Sequence, residues 1–266
     1  MAIGQRLIGL ASLTMIPVHP VDFVEVAGEA GFDFVNLRLA APHPRLPYPL
    51  MGNKAELEKV QRTLDQFSVQ VLDVEVIRVD DHLDISSLHE LFSVAKTLGA
   101  QYVIAMNLLA DEALAIQRFG AVAAVARQYG LMVMVEPFIF SETRSLAAAE
   151  RLAQASGGSV LIDTLHFVRM GEDLSALPER IVQTAPYVQI SDGLMRSDID
   201  LSREAFTKRL APGQGHFPLA AFLRTLPSNT PISFEVPDND RLHDIGPRRY
   251  AKELFTAVTR FLETND

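Results

Sequence analysis

Short apolar runs recur along this chain, each followed by a segment whose apolar positions return at the three-and-four spacing of a helix. Leu7–Leu13 predicts a first strand, and Pro20–Glu29 a helix with Val21, Val24 and Ala27 on one face. The turn at Ala30–Asp33 carries a glycine suited to closing that helix, and feeds a strand over Phe34–Leu39. Asn53 is placed to cap a helix running to Phe67. Val69–Val79 and Tyr102–Leu108 predict strands, with helices at Ser86–Leu98 and Asp111–Tyr129. Further strands are expected at Leu131–Val135, Val160–Asp163, from Tyr187, and at Ile232–Val236. Helices at Leu146–Ala155, Leu177–Gln183 and Pro247–Leu262 complete the pattern.

Eight strand–helix alternations in 266 residues give a mean period near 33. No sequence motif recurs at that period, which argues against a helical repeat array. Alternation implies parallel strands, and eight of them predict an α/β fold, a single (β/α)8 TIM barrel over residues 1–266. The competing open sheet calls for a glycine-rich phosphate loop after strand one, and Gly9-Leu10-Ala11-Ser12 is not one. Residues 40–50 hold four prolines and read as an extended loop covering a site.

Composition narrows the function. An apolar fraction of 48% with 21% charged residues is that of a globular protein able to bury a large core. A net charge of −9 argues against nucleic acid and against an anionic membrane surface. The absence of cysteine excludes disulfides and thiolate metal sites. No basic leader opens the chain, and no stretch approaches the roughly 20 apolar residues of a membrane span, so a cytoplasmic soluble protein is expected.

Four strand ends carry the candidate chemistry. Val133–Pro137, Leu161–His166, Val188–Asp192 and Ile232–Val236 each deliver an oxygen-bearing side chain: Glu136, Asp163, Gln189 and Glu235. Polar groups ending buried strands are costly unless they converge. In a barrel they share one mouth, and three carboxylates with one amide there suit a divalent cation. His166, three residues after Asp163, is a candidate substrate contact or proton shuttle. Arg38, Arg196 and Arg209 are candidate binders of an anionic substrate group. Glu75 is a further candidate at the substrate, or a partner inside the barrel. Asp192 reads as a brace for the loop after strand seven.

Val-Glu-Pro at 135–137, Ile-Asp-Thr-Leu-His at 162–166, Val-Gln-Ile-Ser-Asp at 188–192, Pro-Gly-Gln-Gly at 212–215 and Phe-Glu-Val at 234–236 together resemble the xylose-isomerase-like TIM-barrel superfamily of sugar isomerases, epimerases and dehydratases. The resemblance implies metal ligation by Glu136, Asp163 and Glu235, and substrate binding by His166. Gln189 stands where many members carry histidine; hydroxypyruvate-isomerase-like proteins and bacterial 3-dehydroshikimate dehydratases share the glutamine. An amide oxygen hardens the site, favouring Mg²⁺ or Mn²⁺ over Zn²⁺. The acidic balance and only seven histidines set the chain apart from the related nuclease branch.

The leading expectation is a metal-dependent isomerase or epimerase acting on a small sugar or hydroxy-ketone through a metal-bound enediolate, with Glu136 or Glu235 as base. The alternative is a dehydratase of the 3-dehydroshikimate or inosose type, with His166 as acid to the departing hydroxyl. A non-catalytic ligand-binding barrel is the third reading. The expected partner is a small molecule, with self-association possible.

Overall fold

The computed structural model describes residues 6–39 and 50–265. The predicted loop over 40–50 therefore lies outside the described residues, apart from Leu50. The described residues form nine strands: β1 (Ile8–Ala11), β2 (Phe34–Arg38), β3 (Gln70–Val79), β4 (Tyr102–Asn107), β5 (Met132–Val135), β6 (Ser159–Val160), β7 (Ile162–Asp163), β8 (Val188–Ile190) and β9 (Ile232–Phe234). Every pairing between them is parallel, in the order β6-β5-β4-β3-β2-β1-β9-β8-β7. The two ends of that order, β6 and β7, are separated in the chain only by Leu161. They are the halves of one stave, so the sheet wraps into a barrel of eight staves with helices outside it. The stave breaks because β6 pairs with β5 and β7 with β8, while Leu161 N donates to Val135 O at 2.9 Å.

Side chains alternate across this wall. Ile162, Val188, Ile190, Ile232 and Phe234 join the large core between staves and helices. Phe34, Leu72, Ile104, Met134, Leu161 and Tyr187 form a second cluster inside the barrel. Gly9 is required there: a Cβ on it would fall 2.0 Å from the Phe34 ring, which crosses the barrel floor.

Helix boundaries follow local chemistry. His19 accepts from Val21 N at 3.3 Å ahead of helix Pro20–Ala30, and Gly31 closes it at φ 108°. Asn53 caps helix Lys54–Phe67 through Glu56 N. The helix expected at Leu177–Gln183 is observed at Glu179–Thr184, since Pro178 precedes it as its cap. Strand one stops at Ala11 rather than Leu13, because Ser12–Met15 turns into a short 3₁₀ segment. Short helices at Thr164–Arg169, Leu201–Thr207, Leu219–Thr225 and Asn239–Ile245 were not anticipated; six or seven residues scarcely display a 3.6 period. Among the described residues, no helix is long and apolar enough to cross a membrane.

Candidate functional site

The C-terminal ends of β5, β7, β8 and β9 bring Glu136, Asp163, Gln189 and Glu235 to the barrel mouth, each with under a tenth of its surface exposed. Asp163 ends β7 and caps the next helix, its Oδ1 accepting from His166 N at 3.0 Å. That cap turns His166 back toward Glu136, with Nε2 standing 4.0 Å from Oε1. Potential ligand atoms of Glu136, Asp163 and His166 all lie within 4.8 Å of one another.

Arg209 is 2% exposed and spans the cluster. Nη1 donates to Asp163 Oδ2 at 2.7 Å, Nη2 stands 2.8 Å from Glu235 Oε2, and Nε donates to Ala205 O at 2.9 Å. Its position follows from Asp192, whose backbone pairs with Leu210 in both directions. The Asp192 carboxylate accepts from Gly193, Gly213, Gly215 and Phe217 N at 2.8–3.1 Å, so it braces the Pro-Gly-Gln-Gly loop as expected. Gly215 must lack a side chain, because a Cβ would meet Asp192 Oδ1 at 2.4 Å.

Across the mouth, Arg38 Nη2 stands 3.5 Å from Glu75 Oε1, which also accepts from Ser12 Oγ. Glu75 is thus an interior ion-pair partner, near enough to add to the negative field at Glu136 and Glu235. Arg196 is exposed on the loop after β8, and the structure does not bring it into this group. Below lies a buried polar string, Ser233 donating to Asn36 and Asn36 to Asp73, that the sequence reading missed.

Burial pushes the Glu136 carboxyl well up, and the like charges of Glu235 and Asp163 push it further. Burial also lifts Glu235 to about 8, against the pull of Arg209. Burial would raise Asp163 as well, yet the Arg209 guanidinium and His166 outweigh it and hold that carboxyl low. Burial lowers His166 to about 4, with Arg209 acting in the same sense and Asp163 against it. The His166 imidazole is therefore neutral at ordinary pH, and once protonated it gives the proton up readily.

The residues fit a divalent cation. Both Gln189 side-chain atoms and His166 Nδ1 are buried without a hydrogen-bond partner among the described residues. Crowded carboxylates beside an unpartnered amide oxygen are a donor set wanting a positive charge. Glu235, bridged to Asp163 by Arg209, stands apart from the tightest group, while His166 belongs to it.

One wall of the mouth is aromatic, a feature the sequence reading also missed. Phe138 sits edge-on to His166 at 4.5 Å, and the rings of Phe140 and Phe206 stack at 5.9 Å. Both outer rings are partly open to solvent, at 39% and 40%. The Glu-Pro-Phe order after β5 was the available signal for Phe138; Phe206 lies in one of the short helices.

A family model described as xylose isomerase-like TIM barrel matches residues 24–257. No curated protein matches the chain by sequence. Among solved structures, the zinc-bound IolI protein superposes with a TM-score of 0.77 at 15% identity, covering 98% of this chain and 99% of that one. AsbF of Bacillus anthracis, described as a probable 3-DHS dehydratase involved in petrobactin synthesis, gives 0.77 at 13% identity, covering 95% and 98%. D-allulose 3-epimerase of Methylomonas sp. gives 0.69 at 15%, covering both chains fully. At these identities the likeness is one of fold.

Proposed function

From a chain that belongs to the xylose isomerase-like TIM-barrel family, we propose a metal-dependent enzyme that removes a proton beside a ketone and eliminates water from a small cyclic hydroxy-ketone. The observation carrying this reading is the pairing of Glu136 with His166 across 4.0 Å, while Glu235 is held by Arg209. Glu136, Asp163, Gln189 and Glu235, with His166 beside them, would hold a divalent cation, which would supply Lewis acidity to a substrate carbonyl. The oxygen-rich donor set favours Mg²⁺ or Mn²⁺ over Zn²⁺.

His166 takes the proton from the carbon next to the carbonyl. The protonated His166 then passes that proton to the hydroxyl one carbon further on, the C–O bond breaks, and water leaves as the new C=C forms. One imidazole serves both carbons, so proton removal and hydroxyl departure use one face of the substrate. Arg209 sits between Glu235 and Asp163 and adds positive charge at the mouth. The Phe138–Phe140–Phe206 wall offers no hydrogen bonds to the hydroxyls of an open-chain sugar, and suits the flat face of a ring. 3-Dehydroshikimate, the kind of substrate named for AsbF, is the first compound to try.

Isomerisation or epimerisation is the second reading. It shares the first proton abstraction, and the electrostatic coupling of Glu136 to Glu235 supports it by supplying a second carboxyl to return the proton elsewhere.

The test is proton NMR in D₂O with Mg²⁺-loaded protein and a panel of 3-dehydroshikimate, inosose, hydroxypyruvate and ketoses. New olefinic or aromatic signals with matching loss of substrate support elimination. Exchange with a new isomer supports the second reading. Metal bound with no exchange on any compound would sink both.

A further inference from the structure

Among the described residues, Arg169 and Glu204 touch none of the carboxylates at the mouth, yet the only polar hold on Arg209 Nε runs through the helix they clamp. Glu204 sits in helix Leu201–Thr207, which otherwise presents Leu201 and Phe206 to solvent and buries little beyond Ala205. Arg169 closes the short helix that begins at Asp163 and carries His166. Its Nε donates to Glu204 Oε2 at 2.8 Å and its Nη2 reaches Glu204 Oε1, a two-pronged pair with side chains only 6% and 7% exposed. The same guanidinium donates to Leu194 O at 2.6 Å and Met195 O at 3.0 Å, and lies 5.2 Å over the Phe217 ring.

A buried ion pair is weak evidence for stability, since desolvation offsets most of its attraction. What this pair does is fix register. It ties helix Leu201–Thr207 to helix Thr164–Arg169, and one residue after Glu204 the Ala205 carbonyl receives Arg209 Nε at 2.9 Å. We infer that Arg169 and Glu204 are positioning residues, holding Arg209 between Asp163 and Glu235 and locking its placement to that of His166. The inference rests on the reading of the mouth as the reacting site, and it concerns groups that never meet substrate.

The test uses the whole chain and needs no substrate. In metal-free protein, the arginine Nε–H signal that vanishes in Arg209→Gln is assigned to Arg209, and its exchange with solvent is measured. It is expected to exchange slowly in the parent and about tenfold faster or more in Glu204→Gln. Arg169→Lys keeps the charge but loses the fork; it should give the same acceleration, and serves if Glu204→Gln does not fold. Unchanged protection in either folded variant overturns the inference.

Calorimetric titration with Mn²⁺ gives a second arm. Loosening a cation from two ligand carboxylates should tighten Mn²⁺ binding by about threefold in Glu204→Gln, and by nothing when Arg209→Gln is already present. An equal change in both backgrounds overturns the inference, because it would mean Glu204 acts by charge alone. A parent protein that binds no Mn²⁺ overturns the functional reading instead, and the exchange measurement then decides the brace by itself.

Discussion

Arg209 Nη2 and Glu235 Oε2 stand 2.8 Å apart, both buried, so one glutamate of the mouth is bound to a guanidinium while Glu136, among the described residues, carries no such hold. The two glutamates, alike in sequence context, are therefore unlike in chemistry.

Glu136→Gln is expected to lower kcat by about a hundredfold or more, because it removes a carboxylate that would hold the cation beside His166. It should also raise the melting temperature of the metal-free protein, because it removes a carboxyl crowded by Glu235 and Asp163. Turnover assays and thermal melts on the same preparation check both; a slower enzyme that also melts earlier would point to a misfolded site.

Stability of the metal-free protein should depend on pH in a defined window. Glu235 is raised from 4.5 to about 8, so the folded chain keeps a proton that the unfolded chain sheds, and stability falls as pH rises between those values. His166 is lowered from 6.5 to about 4, so its contribution is full above 6.5 and is lost as pH falls toward 4. The two oppose each other up to about 6.5, and above that the Glu235 decline stands clear, with Glu136 adding in the same sense. Denaturant titrations of the parent and Glu235→Gln across pH 6 to 8 would show it; a decline of equal slope in both proteins refutes the assignment.

Gln189→His replaces an amide with an imidazole beside three carboxylates. Binding should shift toward Zn²⁺ relative to Mg²⁺ by about tenfold or more, following the preference of softer nitrogen donors. Competitive titration of apo-protein with both ions measures the ratio, and no shift would remove Gln189 from the ligand set.

Phe140→Ala with Phe206→Ala should raise KM for a cyclic substrate about tenfold while leaving kcat within about twofold, the loss expected from an aromatic contact distant from the reacting bonds. A fall in kcat at unchanged KM would place these rings in some other role.

Asp192→Ala strips the acceptor from four backbone N–H groups, those of Gly193, Gly213, Gly215 and Phe217. A loss of about 2–4 kcal/mol in unfolding free energy is expected, as buried donors go unpaired. Chemical denaturation checks it.

The barrel was legible because each stave writes its burial directly into the chain. Val188, Ile190, Ile232 and Phe234 face the helices while Gln189 and Ser233 face inward, a period of two that needs no tertiary knowledge. The mouth carboxylates were legible for the same reason, as polar residues closing apolar runs. Arg209 was harder. It sits among ordinary polar neighbours, and its burial comes from the Asp192–Leu210 bridge and from Arg209 N donating to Pro237 O at 2.8 Å, contacts between distant segments. Arg196 looked equivalent in sequence and ends in solvent. Asp73 was hidden by a register shift between β2 and β3, which lets Asp73 pair with Asn36 where simple alternation from Leu72 would turn it away.

The break at Leu161 gives the barrel a join. One half of the sixth stave grips β5 and the other grips β8, each by two residues, so the hoop is fastened along its thinnest line. Glu136 rises from one side of that line and Asp163 from the other. Any ligand grasping both is also a clasp, and mass action makes its affinity add to the closure of the whole ring. Filling the mouth should therefore slow amide exchange first at Ser159–Asp163, along the join itself.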